Sequence, residues 1–296
     1  MNNQYRLRRV MKPNNFSDRK RKRLLAFAIS GVVVLLSAIQ AYTAKNYPDQ
    51  NHPYYSGNYA IGSPKSVEAL SVVSYNIGFA ENVEQAILEM KEIESQKGLE
   101  IVLLQEMDEV GTEQIARALQ LNYVYFPAAI EPTYDKNFGN AILSRWPIVD
   151  SEKLILPHKS LSNRMNRIAT KAMIRTDGAD ILVYSIHTES IFTVPRFRED
   201  QYTAVLDDVG SDARLVIVGG DFNSFTEADV KQIEEDYRQA GFMRVSKGSG
   251  HTIVKYGIGV SSDHIFAKGF VVEETGKLAG ATASDHLPIW VTLMLK

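Results

Sequence analysis

Cysteine is absent from the 296 residues. Disulfides, zinc–thiolate sites, iron–sulfur clusters and cysteine nucleophiles are therefore excluded together. The compartment stays open, because a domain of this length can build a core without cross-links. Several enzyme signatures are missing as well: G-x-x-x-x-G-K-[ST], G-x-S-x-G, H-E-x-x-H and G-x-G-x-x-G all fail to occur. Their absence argues against a phosphate-loop NTPase, a serine hydrolase of the elbow type, a zincin and a dinucleotide-binding enzyme. With 10 Pro and 19 Gly, a collagen-like or low-complexity chain is excluded too.

Charge is scarce in one place above all. Leu24 to Ala44 carries none, and its mostly aliphatic run would reach about 30 Å as a helix, enough for a bilayer core. Arg19-Lys20-Arg21-Lys22-Arg23 precedes it, which puts the N-terminus inside and the rest of the chain across the membrane. The first reading is a basic cytoplasmic segment over residues 1–23 and an uncleaved signal anchor over 24–44. A secreted form released by signal cleavage and a buried core helix are the alternatives. Residues 45–66, with Pro48, Pro53 and a polar, Tyr-rich composition, read as a linker. Past residue 44 there are 24 basic and 34 acidic residues, a net charge of −10 that repels polyanions at long range.

From residue 67 to 296 short apolar runs alternate with amphipathic segments. LSVVSYNI, EIVLLQE, NYVYFP, NAILS, IATKAMI, DILVYSIH, RLVIVGGDF, DHIFA and PIWVTLML read as strands. Helices are expected over 82–97, with Asn82 as N-cap, and over 112–120, 195–209 and 226–240. Many strands with few helices predict a four-layered α/β sandwich, two packed sheets flanked by helices. The Gly- and Ser-rich stretch 246–262 is expected to be a mobile loop over a cleft.

Residues suited to metal or proton chemistry recur where apolar runs end: Asn76, Gln105-Glu106, His187, Asp221 and Asn223, Asp263, and Asp285-His286. Layered α/β folds assemble sites from strand ends that meet on one rim. Glu106, Asp285 and the Asn76 amide oxygen are hard ligands suited to Mg²⁺ or Mn²⁺. The histidines and remaining acids suit proton handling in phosphate-ester hydrolysis. Strand alternation sends His264 away from Asp263 and makes it structural.

SYNI, LLQE, GNAILSRWPI, SIHT, GGDFNS, SDHIF and SDHLPI, in this order, resemble the endonuclease/exonuclease/phosphatase superfamily over about residues 68–296. The resemblance implies a divalent-metal-dependent hydrolase with Asn76, Glu106 and Asp285 at the metal. It implies that His187 contacts the phosphate or protonates the leaving group, and that Asp221 and Asn223 orient the attacking water. His286 would bind the scissile phosphate with its ring fixed by Asp263. Asn140 and Arg167 occupy segments that approach the substrate in the family, and Asp135 is a candidate acid partner for His187.

Two substrate classes remain open. The anchor, the orientation and the acidic body favour a phosphodiesterase acting outside the cytoplasm, on phospholipid headgroups or small diesters. An exported or membrane-bound nuclease on DNA or RNA is the alternative, and a catalytically silent binding protein of the same fold is a third reading. The bilayer through residues 24–44 and a phosphodiester substrate are the expected partners; nothing in the sequence points to a protein partner.

Overall fold

Strand β3 (Leu70–Asn76) is buried along its whole length because both of its faces are covered. Leu70 and Val72 point into one apolar cluster, Val73 and Tyr75 into another, as the two-residue strand period requires. In this computed structural model, which describes residues 42–62, 69–255 and 258–296, that alternation organises the fold. The chain divides after Thr43, and Ala44–Lys296 is one compact unit.

Helix α1 (Val83–Lys97) lays Ala86, Met90 and Ile93 on the outer cluster and returns the chain to β4 (Ile101–Met107), parallel to β3. Helix α2 (Glu109–Leu119) adds Ile115 and Leu119 to that layer. The sheet beneath has eight strands. Its main path is β1 (Lys45–Asn46), β5 (Asn122–Glu131), β6 (Lys136–Ser144), β4, β3, β16 (Ile289–Leu295) and β15 (Phe270–Lys277), with β2 (Tyr55–Gly57) also on β5.

The second sheet runs β11 (Met243–Arg244), β14 (Asp263–Lys268), β10 (Val216–Asp221), β9 (Asp180–His187), β8 (Asn166–Arg175) and β7 (Ile148–Lys159). Helix α3 (Pro195–Val209) joins β9 to the parallel β10. With α4 (Glu227–Gln239) it covers the outer face through Tyr202, Val205, Ile233 and Tyr237. Between the sheets, Val72, Leu103 and Ile142 meet Ile168, Val183, Ile217 and Ile265. Two mixed sheets flanked by helices is thus the architecture, as the residue pattern predicts.

Three expectations are corrected. Within the segment read as a linker, residues 45–46 and 55–57 are strands of the sheet: β1 pairs Lys45 with Ile130, and β2 pairs Tyr55 with Tyr125. It covers β5, which would otherwise be a bare edge. Lys153 of β7 locks it in place, fully buried, its ammonium donating to the carbonyls of Tyr47 (3.3 Å), His52 (3.1 Å) and Pro127 (3.2 Å). Burial pushes that ammonium down to about 8.

Asn82 makes no side-chain cap; its amide instead donates to the Ala283 carbonyl at 3.1 Å, tying α1 to the loop before His286. The stretch 246–262 is no free lid. It holds a short 3₁₀ helix (Lys247–Ser249) and the pair β12 (Ile253–Lys255) and β13 (Ile258–Val260), and the buried Thr252 hydroxyl oxygen accepts from the Ser262 and Asp263 amides. Among the described residues no helix is long and apolar enough to cross a membrane. The expected anchor falls almost wholly outside the described residues, which include only its last three positions.

Candidate active site

Both parallel pairs end on one rim. β3 and β4 deliver Asn76 and Glu106 there, and β9 and β10 deliver His187 and Asp221. β14 runs antiparallel to β10, so Asp263 at its start reaches the same rim; His286 precedes β16, which is antiparallel to β3. Ligands of α/β sheets bind outside the carboxyl ends of parallel strands, and this cleft lies there. Asp221 is directly opposite His187 on one side and Asp263 on the other, a single cross-strand row.

The sequence bends locally to build this row. At Gly220 (φ +145) an added Cβ would stand 1.9 Å from the Ile186 carbonyl oxygen, so glycine is required immediately before Asp221. Glu106 has φ +57 where the β4–β6 register shifts, and Asn223 has φ +49. Left-handed non-glycine residues cost about 1–3 kcal/mol each and persist where the surroundings over-determine them.

The acids are held by directed donors. Asn76 Nδ2 lies 3.2 Å from Glu106 Oε1 and 3.1 Å from Asp221 Oδ2, and the Phe79 amide donates to Glu106 Oε2 at 3.2 Å. Asp221 Oδ1 accepts from Ser262 Oγ at 2.6 Å and from the Asn223 amide at 2.8 Å. Burial alone would raise Asp221, but His286, His187 and these hydrogen bonds outweigh it and leave the carboxyl below its usual range. Burial raises Glu106, opposed by His286, Arg167 and Asn76.

The two histidines are set in opposite states. Burial and then Arg167 drive His187 well below its ordinary value, so it is neutral. His286 Nδ1 donates to Asp263 Oδ2 at 2.8 Å, and its Nε2 lies 3.7 Å from Asp221 Oδ2. Burial would push His286 down, but Asp263 and Asp221 override it and raise it to about 10. Arg167 Nη1 lies 3.3 and 3.2 Å from the ring nitrogens of His187, while Nη2 donates to Glu189 Oε1 at 3.4 Å.

A cleft of about 620 Å³ opens over these groups, lined by Glu106, Arg167, His187, Asp221, Asn223, Asp285 and His286 among others. Nine of the ten residues singled out from the sequence are therefore brought together: these seven line the cleft, Asp263 stands behind His286, and Asn76 lies between Glu106 and Asp221. Asn140 alone is set apart, and Asn76 meets the acids through its nitrogen. Asn140 is buried between the sheets, its amide donating to the Ile168 and Ser185 carbonyls at 2.9 and 3.1 Å. Asn76 turns its nitrogen to the acids, while its oxygen accepts from the Gly78 amide at 3.0 Å.

Asp135 is exposed in the β5–β6 turn, and the polar neighbours of His187 are Arg167, Glu106 and Asp221 instead. His264 is structural as expected; its Nε2 is 2.8 Å from Ser224 Oγ, which itself donates to Ser261 O. Ser262, bonded to Asp221, and Glu189, bonded to Arg167, were not singled out. Ser262 directly precedes Asp263 and Glu189 lies two residues past His187, and those adjacencies are the available signals.

Asp221, Asp263 and His286 form a buried cluster whose ligand atoms lie within 4.8 Å of one another, able to chelate a divalent cation. The chemistry of the wider donor set fits such an ion. Four acids (Glu106, Asp221, Asp263, Asp285) outnumber Arg167 and the protonated His286, and Asp263 Oδ1 and Arg167 Nε are buried with no hydrogen-bond partner. A metal-binding cluster in this fold supports a metal-dependent phosphoric-ester hydrolase.

A UPF0294 protein of Vibrio cholerae is 29% identical over 135 residues, 45% of this chain and 47% of the relative. The match thus spans about half the length of that relative. Among solved structures, D. rerio TDP2 complexed with single-strand DNA product superposes with a TM-score of 0.61 at 20% identity, over 76% of this chain and 98% of that one. The human Nocturnin catalytic domain with bound sulfate gives 0.61 at 20% identity, over 82% and 97%. At these identities the likeness is one of fold. The sequence profile of the endonuclease/exonuclease/phosphatase family matches residues 73–286, a span that opens three residues before Asn76 and ends on His286, and the chain belongs to that family.

Proposed function

We propose that this chain is a divalent-metal-dependent phosphodiesterase whose substrate is a nucleic-acid strand. The observation that carries the hydrolase reading is the single rim on which ionised Asp221, neutral His187 and protonated His286 face the same cleft as Arg167. Two structural neighbours support the substrate: D. rerio TDP2 is seen with a single-strand DNA product, and human Nocturnin holds a sulfate, a mimic of phosphate.

The 2.8 Å bond between His286 and Asp263 already engages that pair. Glu106 and Asp285 would therefore hold the cation, Mg²⁺ or Mn²⁺, beside the Asn76 amide that bridges Glu106 and Asp221. The bound ion would neutralise charge on a non-bridging phosphate oxygen. Asp221 accepts a hydrogen bond from the attacking water and orients it in line with the leaving oxygen. Asn223 flanks it, its own amide fixed on the Thr188 carbonyl at 3.1 Å. His286 Nε2–H and the Arg167 guanidinium donate to the charge that grows on the phosphate. His187, neutral beside Arg167, is placed to donate a hydrogen bond from its ring N–H to the leaving oxygen.

The charge-free run 24–44 behind five consecutive basic residues supports a second reading, in which the protein is held at a membrane with its cleft outside and cleaves a phospholipid headgroup. The full chain, assayed with Mg²⁺, Mn²⁺ or chelator on single-stranded oligonucleotide, glycerophospholipid and sphingomyelin vesicles and bis-p-nitrophenyl phosphate, separates the two. Metal-dependent cleavage of oligonucleotide is expected; vesicle lipid as the better substrate would transfer the function to the second reading. Reporter fusions at Lys45 and Lys296 should both read extracytoplasmic, and a cytosolic signal from either would remove the proposed orientation.

A further inference from the structure

We propose that a groove beside the cleft, between the end of the β7–β8 hairpin and α3, is the track along which a single-stranded nucleic acid reaches the active site. The inference rests on the nucleic-acid reading above and gives it a location. The groove encloses about 560 Å³, and its wall includes His158, Lys159, Leu161, Arg164, Asn166 and Phe197. No acidic residue lines it. That is unusual on a body of net charge −10: the cleft is lined by Glu81, Glu106, Asp221 and Asp285, and a neighbouring cavity over α1 and α2 by Glu81, Glu84 and Asp108.

Lys159 and Arg164 are exposed, and among the described residues neither side chain has an ion-pair partner. Asp200, which lies against His158 of the groove wall, is engaged by His158 Nε2 at 2.6 Å and by Arg196 Nε at 3.6 Å. A polyanion approaching this protein therefore meets net positive charge here and repulsion at the other acid-lined surfaces. The His158 ring lies nearly parallel to Phe197, with centroids 4.0 Å apart and planes 5° apart, and Leu161 is 55% exposed beside them. Flat π faces next to unpaired cations are the two elements with which proteins hold unpaired strands without reading sequence.

Groove and cleft draw on the same strand, β8. Asn166 lines the groove and Arg167, the next residue, lines the cleft. Gln201 couples the two, donating to the Pro157 carbonyl beside His158 at 2.8 Å and accepting from the Glu189 amide at 2.6 Å. A strand with one phosphate at Arg167 and His286 can thus lay its neighbouring phosphates on Arg164 and Lys159.

The test is fluorescence anisotropy of labelled 16-nucleotide oligothymidylate with the full chain carrying Asp221→Ala, with and without Lys159→Glu and Arg164→Glu, across a KCl series. The basic residues ahead of Leu24 are common to both proteins, so the difference reads the groove. The double change should weaken binding at least about tenfold and flatten the log–log salt slope by about 1.4, two phosphate contacts at ~0.7 each. In a chain with Asp221 restored, turnover of bis-p-nitrophenyl phosphate should be unaltered by the two substitutions. Equal affinity and slope, or no oligonucleotide binding at all, overturns the track. So does binding of phosphatidylglycerol vesicles through the same two residues without competition from oligonucleotide, which makes the groove a membrane contact. Absence of bis-p-nitrophenyl phosphate hydrolysis sinks the hydrolase reading alone, because the binding arm needs no turnover.

Discussion

In the cleft four acids crowd around one arginine and one protonated histidine; in the groove alongside, two cations stand with no acid on the wall. The two regions meet at consecutive residues of β8, so the contrast is not one of distant surfaces. Acids concentrated at the site of reaction exclude an anionic substrate until a cation is present. Bases beside it hold the rest of the same substrate whether or not the cation is there. The difference separates two quantities usually read together, turnover and retention.

The largest effect should come from removing the acid at the centre of the cleft. Asp221→Ala is expected to lower kcat on bis-p-nitrophenyl phosphate about a hundred- to ten-thousand-fold. Thermal melting should fall modestly, since Ser262, Asn76 and the Asn223 amide lose their acceptor; turnover near wild type would remove Asp221 from the chemistry. Next comes the cation. Glu106→Gln should raise the Mg²⁺ needed for half-maximal activity about ten- to a hundredfold, while His286→Ala should lower kcat at an unchanged metal midpoint. The reverse pattern would assign the ion to the Asp221, Asp263 and His286 cluster.

A smaller effect tests where the cleft ends and its scaffold begins. Asn140→Ala removes two buried hydrogen bonds and should cost about 1–3 kcal/mol in urea unfolding, with kcat/KM little changed. A large loss of kcat/KM at unaltered stability would return Asn140 to the substrate. A last test concerns Lys153. Its folded value of about 8 lies below that of an unfolded lysine, so the unfolded chain binds more protons in between. Stability contributed by this group is therefore lowest at neutral pH and grows as pH rises from about 8 towards 10.4. Lys153→Met should remove that rise, measured as the difference between the two proteins' urea midpoints across the window.

The cleft was legible in the sequence because its residues sit at changes of hydrophobic pattern. Asn76, His187 and Asp221 close apolar strands, and Asp263 opens one, so a polar residue there has no reason of packing to be present. The helices were legible from periodicity, and the two-sheet architecture from the count of strands. What sequence did not disclose depended on tertiary partners. Asn82 satisfies a local capping rule, yet the Ala283 carbonyl 201 positions away takes its amide. Residues 45–57 lack the hydrophobicity of strands because two- and three-residue ladders on an edge need little of it. Lys159 and Arg164 look like ordinary surface charges until the hairpin folds them beside Phe197.

The row formed by His187, Asp221 and Asp263 constrains how such an enzyme can diverge. Neighbouring strands stand about 4.8 Å apart, and a slip by one residue turns a side chain to the opposite face. The spacing of the reacting groups can therefore change only in whole steps, each of which destroys the arrangement, so gradual adaptation has no route through the strands. New substrates must be won in the connecting segments: the turn after Asn76, the stretch between His187 and α3, the β7–β8 hairpin and the loop before His286. Exchanging those segments among relatives, on an untouched ladder, is the natural way to build a set of hydrolases that share one chemistry and differ in what they cut.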